Sequence, residues 1–209
     1  MTRTLTRIYD DYATADRVVK ELRAAGLGDS HIGLVASNAE GWHKPEGGNV
    51  DPAHDKDRDG KDDRAEGAVT GGGMGAIAGG AAGAAAGLGM LAIPGIGPVV
   101  AAGWLAALAS GALVGGATGG IIGALVESGV SKENAELYAE ALRRGGAVVT
   151  IKVSDDDAPK YAAILDGNKS VNVSEREPAY RSSGWTGYDP QAPLYTPDQI
   201  RQERENYRN

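Results

Sequence analysis

Ala92-Ile93-Pro94-Gly95-Ile96-Gly97-Pro98-Val99 lies within Gly67 to Val126, sixty residues without one Asp, Glu, Lys, Arg or His. How this stretch is read decides the fold. Nineteen of the chain's 32 glycines fall inside it, and they are periodic rather than scattered. Gly71, Gly75, Gly79, Gly83 and Gly87 recur at every fourth residue before the Pro-Gly segment; Gly111, Gly115, Gly119 and Gly123 do so after it. Pro94, Gly95, Gly97 and Pro98 mark the turn between the halves. The spacing predicts two antiparallel helices, Ala68 to Ile93 and Val99 to Val126, each with a glycine stripe along one face.

Glycine-rich helices need a reason to form. In water each interior Gly costs about 1 kcal/mol against Ala, whereas a bilayer forces the backbone to satisfy its own hydrogen bonds. Small residues at every fourth position let two backbones approach closely. Ala68 to Ile93 is 26 residues, about 39 Å at helical rise, against a hydrocarbon core of roughly 30 Å. The expectation is therefore a transmembrane glycine-zipper hairpin, with the lipid bilayer and further copies of the chain as partners. The competing reading is a Gly/Ala hairpin buried inside a soluble cytoplasmic assembly. Every Lys and Arg lies outside the hairpin, so the positive-inside rule puts the remainder on the cytoplasmic side of the inner membrane.

Outward from the hairpin, the flanks read as two β-α-β units. Thr4 to Tyr9 is a first strand. Ala15, Val18, Val19, Leu22 and Ala25 follow at helical spacing, with Thr14 as a cap and Gly26 as a stop. Ile32 to Ala36 is a second strand. Beyond the hairpin, Ser131 caps a helix carrying Ala135, Tyr138, Ala139 and Leu142, with Arg143 and Arg144 at its C-terminal dipole end. Ala147 to Val153 is a strand, the segment from Asp155 to Gly167 a helix, and Val171 with Val173 a last strand. The order is that of a ferredoxin-like split β-α-β head. The organisation is thus 1–37, first half of the head; 38–66, acidic polar linker; 67–127, hairpin; 128–174, a helix and the second half of the head; 175–209, a disordered polar tail.

The linker carries one metal-like spacing. Asp55, Asp57 and Asp59, then Gly60, Lys61 and Glu66, match an EF-hand calcium loop, with Lys61 contributing a backbone carbonyl and Glu66 a bidentate carboxylate. Asp62 stands where that loop wants an apolar residue, and no amphipathic helix precedes it. A solvated charge run competes with calcium as the reading. The glycines at 71–79 lack the Gly-Lys-Ser/Thr of a phosphate loop. His31, His43 and His54 have no metal-ligand spacing. No catalytic constellation emerges, and the chain reads as non-enzymatic with no cofactor beyond that calcium.

The net charge is −7 and the pI near 5, which argues against a nucleic-acid partner. Without Cys there is no disulfide or thiolate chemistry. The N-terminus lacks the apolar core of a signal peptide.

Taken together, Tyr9-Asp10-Asp11, Ala13 to Val19 and Leu22 to Gly26, with Ala92 to Gly103, then Gly129-Val130-Ser131, Glu133, Ala135, Tyr138 and Arg143 to Thr150, resemble the heat-induced, general-stress-protein-like family of bacteria. The resemblance covers about Thr4 to Val173. It implies a stress-associated protein, often assigned to the membrane, and carries no catalytic residues to this chain. The linker and the tail inherit nothing from it.

Overall fold

The run Ala147–Ser154 is β-branched at five of its eight positions, and Ala147 to Ile151 are all buried. β-Branched residues fit a pleated, buried surface, and this run is the strand that organises the sheet. The computed structural model describes residues 2–43, 89–93, 96–106, 120–171 and 173–207, with the backbone alone at 89–92. Strands are β1 (Thr2–Tyr9), β2 (Ile32–Ser37), β3 (Gly89–Ile93), β4 (Gly97–Gly103) and β5 (Ala147–Ser154). Helices are α1 (Tyr12–Ala24), α2 (Gly120–Glu127), α3 (Lys132–Arg143), α4 (Ala158–Asp166), α5 (Val173–Ser182) and α6 (Pro197–Asn206), with a 3-10 turn at Asp29–His31. The fold is α+β.

The sheet order is β1-β5-β2-β4-β3, antiparallel throughout. β5 inserts between β1 and β2, which α1 connects. After β5 and α4 the chain returns to the outer side of β1, where Val171 makes an isolated antiparallel bridge to Ile8. Val173 opens α5 instead of continuing the expected strand.

Alternation along the strands separates two cores. Tyr9, Leu34, Ala36, Val149, Ile151 and Val153 face α1 and α4. Ile8, Val35 and Val148 face α2, α3 and α5 on the opposite side. The helix ends follow local chemistry. α1 begins one turn earlier than Thr14 would have it, because Asp11 accepts from the Thr14 N–H at 2.7 Å. Gly26 at φ +97° stops it, with Leu27 N–H donating back to Leu22 O. Ser131 caps α3 as its spacing predicts.

The central stretch departs from expectation. Ile93-Pro94-Gly95-Ile96-Gly97-Pro98 joins two strands, not two helices. β3 and β4 pair from Ile93↔Gly97 to Gly89↔Ala101, and β4 adds to β2. Val99 and Val100 prefer an extended backbone, and β2 offers an open edge on which that preference is satisfied. Val99–Val126 is therefore not one helix: it contains β4, a helical turn at 104–106, and most of α2. Leu105, Ile121 and Leu125 are fully buried in the head. Residues 107–119, between these pieces, lie outside the described residues. Among the described residues no helix is long and apolar enough to cross a membrane.

The tail also differs. Residues 173–182 and 197–206 are helical, and Tyr180 and Ile200 are buried against the head. α6 has a capping box, Thr196 accepting from Gln199 N–H and the Gln199 side chain accepting from Thr196 N–H. A composition poor in apolar periodicity hides a segment that is held chiefly by arginines.

Candidate functional site

The densest polar constellation lies where the tail closes over the C-terminal end of α3. Glu140 of α3 and Arg144, the residue that caps its C-terminus, are one turn apart, both only about 5% exposed or less. Arg144 Nε donates to Glu140 Oε1 at 2.6 Å, Nη1 to Glu203 of α6 at 2.6 Å, and Nη2 to Ser183 Oγ at 2.7 Å. Its guanidinium also lies 4.4 Å from the centre of the Tyr180 ring. Arg143 makes a two-pronged contact with Glu140 and reaches Pro193 O at 2.9 Å, under the Tyr195 ring. Two carboxylates holding one guanidinium raise the Arg144 pKa against the opposing cost of burial, so it stays charged.

Around this centre the tail is tied at further points. Arg204 donates to Asp10 O, to Gly145 O and to Glu40. Arg176 pairs with Asp10 and stacks on Tyr207 at 3.4 Å, and Tyr207 hydroxyl donates to Glu203. Burial pushes the Tyr207 phenol up to about 12 and the Tyr180 phenol further. Gly145 sits at φ +90°, and a Cβ there would run into Ile200. Bare backbone at this turn is what admits the α6 side chain.

Beside the cluster is an open cleft of about 160 Å³, lined by Ile96 of the β3–β4 connection, Glu140 and Arg143 of α3, and Trp185, Tyr188 and Asp189 of the tail. The indole N–H groups of Trp185 and Trp104 are buried with no acceptor among the described residues. At the far end of the sheet Lys152 Nζ stands 3.9 Å over the Trp104 ring. Gly33 lies beneath, where a Cβ would come within 2.7 Å of Leu105 Cβ. Chemically the tail cluster is a set of satisfied charge pairs. It fixes a position and presents no free base or nucleophile.

Of the sequence-predicted residues, Gly71, Gly75, Gly79, Gly83, Gly87, Gly111, Gly115 and Gly119 lie outside the described residues. Gly123 is in α2, and a Cβ there would meet nothing within 4 Å among the described residues. Pro94 and Gly95 also lie outside, while Gly97, at φ +102°, and Pro98 open β4. The calcium candidates Asp55, Asp57, Asp59, Lys61 and Glu66 lie outside. Among the described residues no cluster of three or more acidic or His side chains is placed to hold a metal.

Sequence reading misses the tail cluster. Arg143 and Arg144 are visible as helix-terminal cations, but their tail partners are about 40 to 60 residues away and carry no periodic signal. No family model matches the chain, and comparison with curated proteins and with solved structures finds no match either.

Proposed function

We propose that this chain is a non-enzymatic, stress-associated protein that self-associates through its charge-free glycine-rich segments, displayed from a ferredoxin-like head. The observation that carries this reading is topological. β2, β4 and β3 are neighbours in one sheet, and β2 and β3 both run antiparallel to β4, so the chain leaves the sheet at the Ser37 end of β2 and enters β3 at Gly89 from the opposite end. The glycine-rich run before β3 is thus tethered at both ends to one rigid body, which fixes where further copies would meet it. The order Val171–β1–β5–β2 supports the ferredoxin-like description, since each of its two β-α-β units has a strand of the other between its own. Stress association rests on the resemblance alone.

Val99 to Gly103 in β4 and Ile121 and Leu125 buried in the head favour the first of the two expected spans over the second. Any bilayer role, with the head on the cytoplasmic side, then falls to the chain before Gly89. The test is crosslinking of the expressed protein together with an alkaline carbonate wash of the membrane fraction. Gly79→Leu is expected to shorten the crosslinking ladder, because Leu blocks the close backbone approach that glycine permits. An unchanged ladder removes the glycine run as the contact. Retention in the carbonate-washed pellet places the contact within lipid, and release places it in water.

A further inference from the structure

The two edges of the sheet are built differently. β1 carries Arg3 and Arg7, paired with Asp155 and Asp166, and its outer side is occupied where Val171 N–H donates to Ile8 O at 2.9 Å. Charges and a covering segment are the usual protection of an edge strand. β3, Gly89-Met90-Leu91-Ala92-Ile93, has no charge and no proline. Among the described residues it pairs with β4 alone.

Pro98 fixes which backbone groups of β3 point outward. It lies opposite Ala92, and its carbonyl accepts from Asn38 N–H at 2.8 Å, on the β2 side. In an antiparallel ladder a residue directs its N–H and C=O to the same side, alternating along the strand. Pro98 therefore faces β2, Ala92↔Pro98 is a non-hydrogen-bonded pair, and Ala92 directs both its groups away from β4. Met90, two residues back, does the same. The edge, unpaired among the described residues, thus offers four groups in the order donor, acceptor, donor, acceptor.

That set is self-complementary about Leu91. In an antiparallel pair centred there, Met90 meets the partner's Ala92, and Ala92 meets the partner's Met90. All four hydrogen bonds on each strand close, and the five residues overlap completely. Centring on Ala92 would place Met90 opposite the partner's Pro94, which has no N–H. Centring on Met90 leaves Ala92 and Ile93 opposite residues 88 and 87, outside the strand, so only three of its five residues overlap. We infer that β3 is a homotypic docking edge, pairing antiparallel with β3 of a second copy about Leu91 to continue the sheet across two molecules. The inference rests on the self-association reading for the identity of its partner, but it names a surface separate from the glycine run.

The chain has no Cys, so a single introduced thiol reports one contact. At the centre of such a pair the Cα atoms are about 4.5 Å apart, inside the range a disulfide spans. Full-length Leu91→Cys is expected to form a disulfide-linked dimer on mild oxidation, and Met90→Cys, whose counterpart is displaced along the strand, much less. Ala92→Pro removes an outward N–H and leaves the β3–β4 bonds untouched. Added to Leu91→Cys it is expected to abolish the crosslink with an unchanged circular dichroism spectrum. Equal crosslinking by Leu91→Cys and Met90→Cys overturns the register and the inference with it. If light scattering shows assembly that Gly79→Leu diminishes while Leu91→Cys stays uncrosslinked, the edge inference falls and the self-association reading stands. A monomer at every concentration overturns both.

Discussion

Arg144 illustrates how far one side chain's role depends on distant neighbours. It is buried, satisfied by Glu140, Glu203 and Ser183, and stacked on Tyr180. Breaking a buried pair by removing one partner costs about 3–5 kcal/mol, because the other charge is left uncompensated. Arg144→Ala leaves both carboxylates without that partner, and a loss of this size is expected in urea unfolding. Arg144→Lys restores a charge but not the planar fork, so it is expected to recover only part of the loss. Equal stability of Arg144→Ala and the parent would show that the cluster does not hold the tail.

At the scale of elements, α6 docks through one apolar side chain among several charged ones. Ile200 is fully buried over the bare turn at Gly145. Ile200→Ala is expected to cost about 2–5 kcal/mol of local stability, the usual range for removing a buried Leu or Ile side chain. The segment 184–196 contains Gly184, Gly187, Pro190 and Pro193 and has no regular helix or strand. Loosening α6 should therefore appear first as faster proteolysis within 184–196, with cleavage in β5 unchanged. Simultaneous cleavage of both regions would mean that α6 and the sheet unfold as one unit.

For the whole molecule the buried phenols predict a one-sided pH response. Burial pushes Tyr138 up to about 12, and Tyr9 and Tyr180 further, against about 10 in the unfolded chain. A raised folded pKa means the folded state keeps a proton that the unfolded state has released. The stabilisation is complete below pH 10 and is lost as pH rises from there through the folded values. Each phenol contributes at most about 1.4 kcal/mol of that loss per pH increment of one within the interval. Urea midpoints are expected to be level with respect to these groups up to pH 10 and to fall above it. Tyrosinate absorbance should rise together with loss of the folded circular dichroism signal. Ionisation of these rings, beyond that of the chain's other tyrosines, in a molecule that remains folded would contradict their burial.

The strands at 4–9, 32–36 and 147–153 and the helices beside them were legible in the sequence because their information is local. Val18, Val19 and Leu22 set a helix period, Ala147 to Val153 a β-branched run, and Ser131, Gly26 and Gly145 the helix ends. Local patterns placed a break in regular structure within Ile93 to Pro98, but not what it joins. Glycine at every fourth residue is compatible with a helix, and only the open edge of β2, supplied by residues some sixty positions earlier, makes Val99 to Gly103 a strand. The tail was opaque for the same reason. Its folding depends on Arg144, Asp10 and Glu40 meeting Glu203, Arg176 and Arg204, ion pairs between residues far apart in the chain that have no period. Local sequence was therefore enough for the flanking elements and for the charge-free character of the centre. Strand over helix at the turn, and order over disorder in the tail, were decided by tertiary contacts, because both depend on partners supplied only when distant segments come together.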